Sequence, residues 1–330
     1  MPTPTEAAYY SLGLLVVCFF WRYIVRARCC RAAGTTTLQS SCVIVTGCDY
    51  GFGREIALHL HRMGATVYAG VLSQASGDKL IALMRQDVHE ATAAARLRPI
   101  VMDVTKQKDV DQAFQVVLKS GLPLRALVNN AGISAFGWAE ELPTSTYERN
   151  MNVNFFGTVR MTSTFLPLLR KSKGRLINMG SIGAVMPSAF GSAYLSTKAA
   201  MSSYNDCVRQ EVYRFGVRVC LIEPGFFATE LLANGAKAGG ACSTANNSVY
   251  PNYQEKMKAT EVPIQMMEWL NGSLDRVTDC VVDGITNAWP LARYTIGYDA
   301  RLIRHVLSFV PSSVVDRIQT AQDTNMKKHK

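Results

Sequence analysis

Residues 42–53 of the chain read CVIVTGCDYGFG, and this stretch decides the fold. Its first four residues are apolar, which is typical of a short buried strand. Glycines follow at positions 47, 51 and 53, and they let the backbone turn tightly and approach a phosphate closely. The stretch therefore predicts a strand, a phosphate-binding turn and the start of a helix, which together open a βαβ unit.

Strand and helix patterns continue to alternate after this stretch. Further apolar runs and the helical patterns between them predict an α/β fold with a doubly wound parallel sheet, in one domain over residues 41–230. The predicted strands are Cys42–Val45, Thr66–Ala69, Pro99–Met102, Ala126–Val128, Arg175–Asn178 and Arg218–Ile222. The predicted helices are Glu55–Met63, Gly77–Met84, Asp109–Lys119, Thr144–Leu169 and Ala193–Phe215.

The alternation fails beyond Glu230. Gly235–Asn252 is small and polar, which predicts a mobile loop, and helical segments follow it. A last short strand is predicted at Tyr294–Gly297. We interpret residues 231–330 as a helical, substrate-binding extension of the same domain.

The composition excludes several classes of function. Of the 330 residues, 48% are hydrophobic and 18% are charged, as in a globular protein. The net charge of +10 would suit nucleic acid, but the sequence has no zinc-ligand spacing and no recognition-helix pattern, so nucleic acid is excluded. Nine scattered cysteines favour reduced thiols, and no His, Asp and Glu cluster has metal-ligand spacing, so no metal is predicted.

Residues 1–31 differ from the rest of the chain. Ala7–Val25 is apolar apart from Arg22 and is close to the roughly 20 residues that span a bilayer. Arginines lie at the end of this run and after it, whereas a cleavable secretory signal carries its positive charge before the run. The sequence therefore predicts a membrane anchor with the following domain in the cytosol. A buried helix of the main domain is the alternative.

Tyr194 and Lys198 stand four residues apart in the stretch SAYLSTK. Residues at this spacing are neighbours on one face of a helix. An ammonium group beside a phenol favours the phenolate and lowers its pKa from about 10, so the tyrosine can act as a general acid or base. The alternative is a solvated helix face, where such a pair is common.

Three motifs in this order resemble those of the classical short-chain dehydrogenases/reductases. They are TGxxxGxG at residues 46–53, NNAG at 129–132 and YxxxK at 194–198. The resemblance covers roughly residues 41–230 and continues more loosely to the C-terminus. It implies a Rossmann-type domain and hydride transfer between a nicotinamide cofactor and an alcohol or ketone.

The resemblance also implies roles for individual residues. Tyr194 accepts the alcohol proton, Lys198 lowers its pKa and reaches the nicotinamide ribose, and Ser181 bonds the substrate oxygen. Asn154 matches the asparagine that holds a water for proton relay; by themselves, Ser181 and Asn154 would be a strand-end cap and a polar helix residue. The cofactor-binding residues implied are Thr46, Gly47, Asp49, Tyr50, Gly51, Phe52, Gly53, Asp103, Val104, Asn130, Ala131, Gly132, Tyr194, Lys198, Pro224, Gly225 and Thr229.

Within the family, TGCDYGFG, VNFFGT and TFLPLLRKSKGRL resemble one branch. It contains membrane-bound retinol dehydrogenases, oxidative 11β- and 17β-hydroxysteroid dehydrogenases and mitochondrial 3-hydroxybutyrate dehydrogenase. The implied function is oxidation of a lipophilic alcohol such as a hydroxysteroid or retinol. A mitochondrial 3-hydroxybutyrate dehydrogenase is one alternative, and a non-catalytic lipid-binding protein on the same fold is another.

The C-terminal third carries signals for location. Leu302–Val310 is apolar with basic residues, which suits a membrane surface, packing on the domain, or the partner subunit of a homodimer. Residues 327–330, KKHK, resemble a dilysine signal for return to the endoplasmic reticulum; a solvated basic tail is the alternative. Sequons at Asn246 and Asn271 would point to the lumen, but such triplets often arise by chance. We expect an endoplasmic-reticulum membrane protein with a cytosolic catalytic domain.

The choice of cofactor is predicted from the end of the second strand. An NAD-specific site usually places an acid near Val71 to bind the ribose 2′-hydroxyl, and this chain has none there. The 2′-phosphate of NADP needs a cation, but Leu72 supplies none and Asp49 would repel the phosphate. Lys79 on the next helix is a cation within reach. The sequence and the resemblance together predict NAD.

Overall fold

The structure is a computed structural model that describes residues 38–87, 96–227, 229–231, 234–235, 273–305 and 309–320, together with Gly13 and Asn271. Apart from Gly13, the predicted anchor at residues 1–31 lies outside the described residues, as do Asn246 and the basic C-terminal tail. The predicted loop also lies outside them, except for Gly235. Within the described part of the chain, no helix is both long and apolar enough to cross a membrane.

Seven parallel strands form one sheet in the order β3-β2-β1-β4-β5-β6-β7. This confirms the predicted doubly wound parallel sheet, and the predicted strands differ from the observed ones only at their ends. The strands are β1 (Cys42–Val45), β2 (Thr66–Val71), β3 (Leu97–Val101), β4 (Leu124–Asn129), β5 (Arg175–Met179), β6 (Arg218–Pro224) and β7 (Arg293–Ile296).

Helices connect the strands. They are α1 (Gly51–Arg62), α2 (Gln74–Asp87), α3 (Gln107–Lys119), α4 (Thr144–Met151), α5 (Gly157–Ser172), α6 (Ser192–Val212), α7 (Asp275–Thr286), α8 (Tyr298–His305) and α9 (Ser312–Thr320). The predicted helical segment Thr144–Leu169 is helical throughout, but a π-helical turn at Asn152–Phe156, which was not predicted, divides it into α4 and α5. Such turns insert one residue into the helical ladder and are frequent at functional sites.

Both faces of the sheet are covered. Alternate strand residues such as Val43 and Val45 face the side where α1, α2 and α7 pack. Ile44 and Tyr68 face the opposite side, against α3, α5 and α6. Each fully buried large aliphatic or aromatic side chain contributes about 1.5–3 kcal/mol to this packing. The two apolar layers fix the register of the strands, and with it the position of every strand end.

The order of the strands reverses between β1 and β4, whose following connections leave on opposite faces of the sheet. In an open parallel sheet, such a switch point leaves a crevice at the carboxyl ends of the strands. The glycine turn after β1 and the NNAG segment after β4 flank this point. The fold therefore brings the motifs of residues 46–53 and 129–132 together.

The C-terminal extension packs on the same domain. Helix α8 buries Ala300 and Ile303 against Ile182, which follows β5. Leu302 on α8 and Phe309 after it remain exposed, at 54% and 84%. One face of α8 therefore packs on the domain, while the neighbouring apolar side chains lie on the surface.

Candidate active site

The turn after β1 requires its glycines. Gly47 has φ +69°, and a side-chain carbon there would lie 2.7 Å from the Cα of Ala131. A side-chain carbon on Gly53 would overlap the carbonyl oxygen of Gly47 and the side-chain amide of Asn130. The backbone consequently packs closely on itself, and the first residues of α1, Gly51 and Phe52, line the crevice. The amide-rich N-terminus of a helix favours a pyrophosphate.

Thr46 and Asn130 bind the two motifs to each other. The Thr46 hydroxyl accepts hydrogen bonds from the N–H groups of Asn130 and Ala131, at 3.0 and 2.9 Å. The Asn130 side chain donates in return to the carbonyls of Thr46 and Gly47, at 2.9 and 3.0 Å. These two residues therefore position the turn, and Asn130 also lines the crevice together with Gly47, Gly51 and Gly132.

Ser181, Tyr194 and Lys198 meet at the carboxyl end of β5. Ser181 follows this strand and caps a short 3₁₀ turn, because its hydroxyl accepts the Gly183 N–H at 3.2 Å. The same side chain hydrogen-bonds Tyr194 on α6. One turn further along α6, the Lys198 ammonium lies 5.6 Å from the centre of the Tyr194 ring. The serine is thus both a cap and a partner of the tyrosine.

The expectation of a low tyrosine pKa is not met in the protein alone. Burial raises the pKa of Tyr194 above its ordinary value, and the hydrogen bond from Ser181 offsets only part of this effect. The reason is that Tyr194 and Lys198 are only 9% and 6% exposed, so a phenolate loses most of its hydration. A positively charged nicotinamide ring beside the phenol would favour the phenolate.

The Lys198 side chain contacts the end of β5, whose last residue is Met179. Its Nζ donates to the Met179 carbonyl oxygen at 2.8 Å. Burial lowers the pKa of Lys198 from 10.5 to about 8, since the buried ammonium has lost the water that would stabilise its charge. Lys198 therefore titrates close to neutral pH. Sequence reasoning missed Met179, because a backbone carbonyl at a strand end has no side-chain signature.

The Asn154 side chain is fully engaged inside the π-helical turn. Its oxygen accepts the Ile133 N–H at 2.8 Å, and its Nδ2 donates to the Ile133 carbonyl at 2.9 Å and to the Thr197 hydroxyl at 3.0 Å. The side chain thus connects the turn after β4 to α6, next to Lys198. The part of Asn154 in holding a water for proton relay stays a prediction. Thr197 is a second residue that sequence reasoning missed.

Asp103 lies just beyond β3. Its carboxylate accepts the Thr105 N–H at 2.9 Å and the Thr105 hydroxyl at 2.7 Å. Burial acts to raise the pKa of Asp103, but the Thr105 hydrogen bonds and Lys106 outweigh it and hold the pKa below its usual range. The carboxylate is therefore ionised at one edge of the crevice, and the family resemblance implies that Asp103 lies beside the adenine of the cofactor.

Asp49 contacts the end of β2. Its Oδ1 accepts the Leu72 N–H at 3.0 Å, and Leu72 is 68% exposed. Leu72 follows the strand position where an NAD site usually carries its acid. The tertiary structure thus brings a carboxylate from the glycine turn to the place that lacks one in the sequence of β2.

One cavity of about 520 Å³ joins these residues. Of the predicted cofactor-binding residues, Thr46 and Gly53 are absent from its wall, because they support the turn from behind. The catalytic candidates Ser181, Tyr194 and Lys198 line it together, whereas Asn154 lies behind them. The lining also includes the apolar residues Ile133, Phe136, Ile182, Met186, Leu195 and Ile303. The described residues contain no group of three or more potential metal ligands.

The glycine turn, the amide-lined crevice and the carboxylates at its edge fit a dinucleotide. Comparison with known proteins agrees with this geometry. The family model described as short chain dehydrogenase matches residues 41–238. A crystal structure of a short-chain dehydrogenase from Streptomyces avermitilis superimposes with a TM-score of 0.67 at 26% identity, over 88% of this chain and 100% of that one.

Curated relatives match most of the chain. Bovine mitochondrial D-beta-hydroxybutyrate dehydrogenase is 34% identical over 87% of this chain and 86% of its own length. Bovine 17-beta-hydroxysteroid dehydrogenase type 6 is 33% identical over 86% and 89%. Mouse retinol dehydrogenase 16 is 33% identical over 85% and 88%. The matches confirm the predicted family and its retinol and hydroxysteroid branch, and they support an oxidoreductase with a nicotinamide cofactor. The chain belongs to the short-chain dehydrogenase family.

Proposed function

We propose that the protein oxidises a lipophilic secondary or allylic alcohol, of the hydroxysteroid or retinol class, with NAD as hydride acceptor. The observation that carries the proposal is the position of Ser181, Tyr194 and Lys198 in a cavity whose remaining wall is largely apolar. An apolar alcohol gains free energy from burial there, whereas a small hydrated hydroxy acid would lose its water shell. The names of the hydroxysteroid and retinol dehydrogenases among the relatives support the same class.

The residues divide the chemistry among themselves. A bound nicotinamide supplies the hydride acceptor. Tyr194 takes the proton of the alcohol, while Ser181 bonds the same oxygen as its charge changes. Lys198, whose Nζ donates to the Met179 carbonyl, would stabilise the phenolate and would hold a ribose hydroxyl of the cofactor. Asn154 holds the turn after β4 in place for these contacts.

The preference for NAD is argued from Asp49. Asp49 and Leu72 both line the cavity, and Oδ1 of Asp49 accepts the Leu72 N–H, which leaves the second carboxylate oxygen to accept the ribose 2′-hydroxyl. A 2′-phosphate at the same place would meet a negative charge instead. Asp103 adds a second carboxylate to this end of the cavity.

A small hydroxy acid is the second candidate substrate, and one observation favours it. Arg149 of α4 lines the cavity, and among the described lining residues it is the cation that the proposed mechanism does not use. A guanidinium there could bind the carboxylate of a 3-hydroxy acid. A bovine D-beta-hydroxybutyrate dehydrogenase is also among the relatives.

A substrate screen tests the proposal. Membranes containing the protein are assayed with NAD and retinol, estradiol, a 3α-hydroxysteroid or 3-hydroxybutyrate. We expect kcat/KM to be highest with one of the three lipophilic alcohols. Turnover of 3-hydroxybutyrate alone, with loss of that turnover in Arg149→Ala, would establish the second candidate. Absence of NADH binding and of turnover would instead favour a non-catalytic lipid-binding protein.

We also propose that the catalytic domain lies on the cytosolic face of the endoplasmic-reticulum membrane. The arginines after the apolar run of residues 7–25 support this orientation. Asn271 offers further support, since its side chain is fully buried and donates to the Phe226 carbonyl at 2.6 Å. A glycan on this sequon would be incompatible with the folded domain. The exposed Leu302 and Phe309 suit contact with lipid.

A further inference from the structure

Two side chains from the C-terminal third hold the backbone of Phe226 from both sides. The Asp299 carboxylate accepts the Phe226 N–H at 2.8 Å. Asn271 donates its Nδ2 to the Phe226 carbonyl at 2.6 Å. Phe226 lies two residues after the end of β6, so the polar groups of this loop residue are bound by side chains distant in sequence. We call this pair of contacts the Phe226 clasp.

The clasp is closely fitted. A side-chain carbon on Gly225 would overlap the Asp299 carboxylate, and one on Gly297 would overlap Asp299 and the side-chain oxygen of Asn271. Gly297 also has φ +110°, a conformation that favours glycine. The other oxygen of the Asp299 carboxylate accepts the Ala300 N–H at 2.6 Å. Both carboxylate oxygens are therefore used to fix backbone amides.

Helix α8 is held on β6 at its other end as well. Arg304 pairs with Glu223 at 3.7 Å, and Glu223 is completely buried in β6. Between these two attachments, Ile303 packs on Ile182 and lines the cavity. The segment Pro224–Phe227, which also lines the cavity, and α8 are therefore connected through Asp299.

We propose that Asn271 and Asp299 are positioning residues that preorganise Pro224–Phe227 for the nicotinamide end of the cofactor. The inference rests on the proposed function and on the resemblance of Pro224, Gly225 and Thr229 to the family's segment that contacts the nicotinamide side. Without the clasp, the loop after β6 must be ordered when the cofactor binds, and the cost of ordering weakens binding. Saturating cofactor restores the ordered loop, so the cofactor KM changes more than kcat.

The test compares isosteric and truncating variants of the full-length protein. Asp299→Asn keeps the size of the side chain but presents an NH₂ group to one of the two backbone N–H groups that the carboxylate accepts. Asn271→Ala removes the other half of the clasp. Asp275→Asn is the matched control, because Asp275 is an exposed acid that accepts only a surface bond from Ser273.

We expect each clasp variant to raise the Kd for NADH, measured by its fluorescence, and the KM for NAD about tenfold. The kcat should stay within about threefold, and the control should match the wild type. Both side chains act through Phe226, so their effects should not add. The Kd for NADH of the double variant should be at most about threefold higher than that of the single variant that binds NADH more weakly. Hydrogen exchange at the Phe226 amide should accelerate in Asp299→Asn without any cofactor present.

A lower Tm with unchanged NADH affinity in both variants would overturn the proposal, since a purely structural role predicts that result. Failure of both variants to fold would overturn it for the same reason. If only one variant folds, weaker NADH binding by that variant would support the proposal, and unchanged binding would overturn it. A wild-type protein that binds no NADH would refute the proposed function. In that case, faster exchange at Phe226 in Asp299→Asn would still support the clasp, and unchanged exchange would refute it.

Discussion

The Asp49 carboxylate in the glycine turn accepts a hydrogen bond from the Leu72 N–H at 3.0 Å, across 23 positions of sequence. This contact fixes a negative charge where the adenosine ribose of a dinucleotide would lie. In the proposed preference for NAD, Asp49 takes the part of the acid that the end of β2 lacks, and the first prediction tests this.

Asp49→Ala should lower the ratio of kcat/KM for NAD over NADP about tenfold. The variant loses an acceptor for the 2′-hydroxyl and a charge that repels the 2′-phosphate, and a tenfold change corresponds to about 1.4 kcal/mol. Steady-state kinetics with both cofactors measures the ratio. Asp78→Ala is the control, because Asp78 is an exposed acid on the following helix. A higher wild-type kcat/KM with NADP, or an unchanged ratio in Asp49→Ala, would contradict the assignment.

Tyr194→Phe should reduce turnover to less than a tenth of wild type while NADH binding stays nearly unchanged. Only the proton acceptor is lost, and the ring keeps its place beside Phe136, at 6.0 Å between centroids. Lys198→Ala should impair both turnover and binding. Tyr213→Phe is the matched control, since Tyr213 is 65% exposed. If Tyr194→Phe kept more than a tenth of the wild-type activity, Tyr194 would not be the proton acceptor.

Lys198→Met should make the cofactor-free protein more stable at pH 7, by about 1 to 3 kcal/mol in the free energy of unfolding. Burial lowers the pKa of Lys198 from 10.5 to about 8, so the folded state resists protonation. Below pH 8 the folded state carries the full free-energy cost of burying the charged Lys198 side chain. Between pH 8 and 10.5 the unfolded chain binds more protons, so wild-type stability rises with pH.

Urea unfolding of both proteins at pH 7 and pH 10 measures this difference. The difference in the free energy of unfolding between Lys198→Met and the wild type should be smaller at pH 10 than at pH 7. A wild type that is more stable than Lys198→Met at pH 7 would show that the contact with the Met179 carbonyl outweighs the burial of the charge.

Protease added to sealed microsomes should digest the catalytic domain, and neither Asn246 nor Asn271 should carry a glycan. Moving the arginines from behind Trp21 to before Ala7 should reverse this result if charge bias sets the orientation. Detergent-opened microsomes with a lumenal marker provide the control. Protection of the domain in sealed native microsomes would place it in the lumen.

Much of the fold could be predicted from local pattern. The apolar run Cys42–Val45 and the glycines after it are a strand and a turn in any context, because period and glycine conformation act over a few residues. Each predicted strand was confirmed to within three residues. The π-helical turn inside the predicted helical segment Thr144–Leu169 was not predicted, because one inserted residue is too short a signal to find in the residue pattern.

The sequence by itself determined the family, the order of strands and helices, and the residue types that meet at Ser181, Tyr194 and Lys198. Only the tertiary structure decided the pKa values of those groups and the contacts that position the residues around them. The pKa of Tyr194 is raised by burial, and the charge of Asp49 reaches Leu72 because β1 and β2 are neighbours in the sheet. Asp299 and Asn271 reach Phe226 across 73 and 45 positions. Contacts at such separations depend on packing of the whole chain, and no local pattern of residues encodes them.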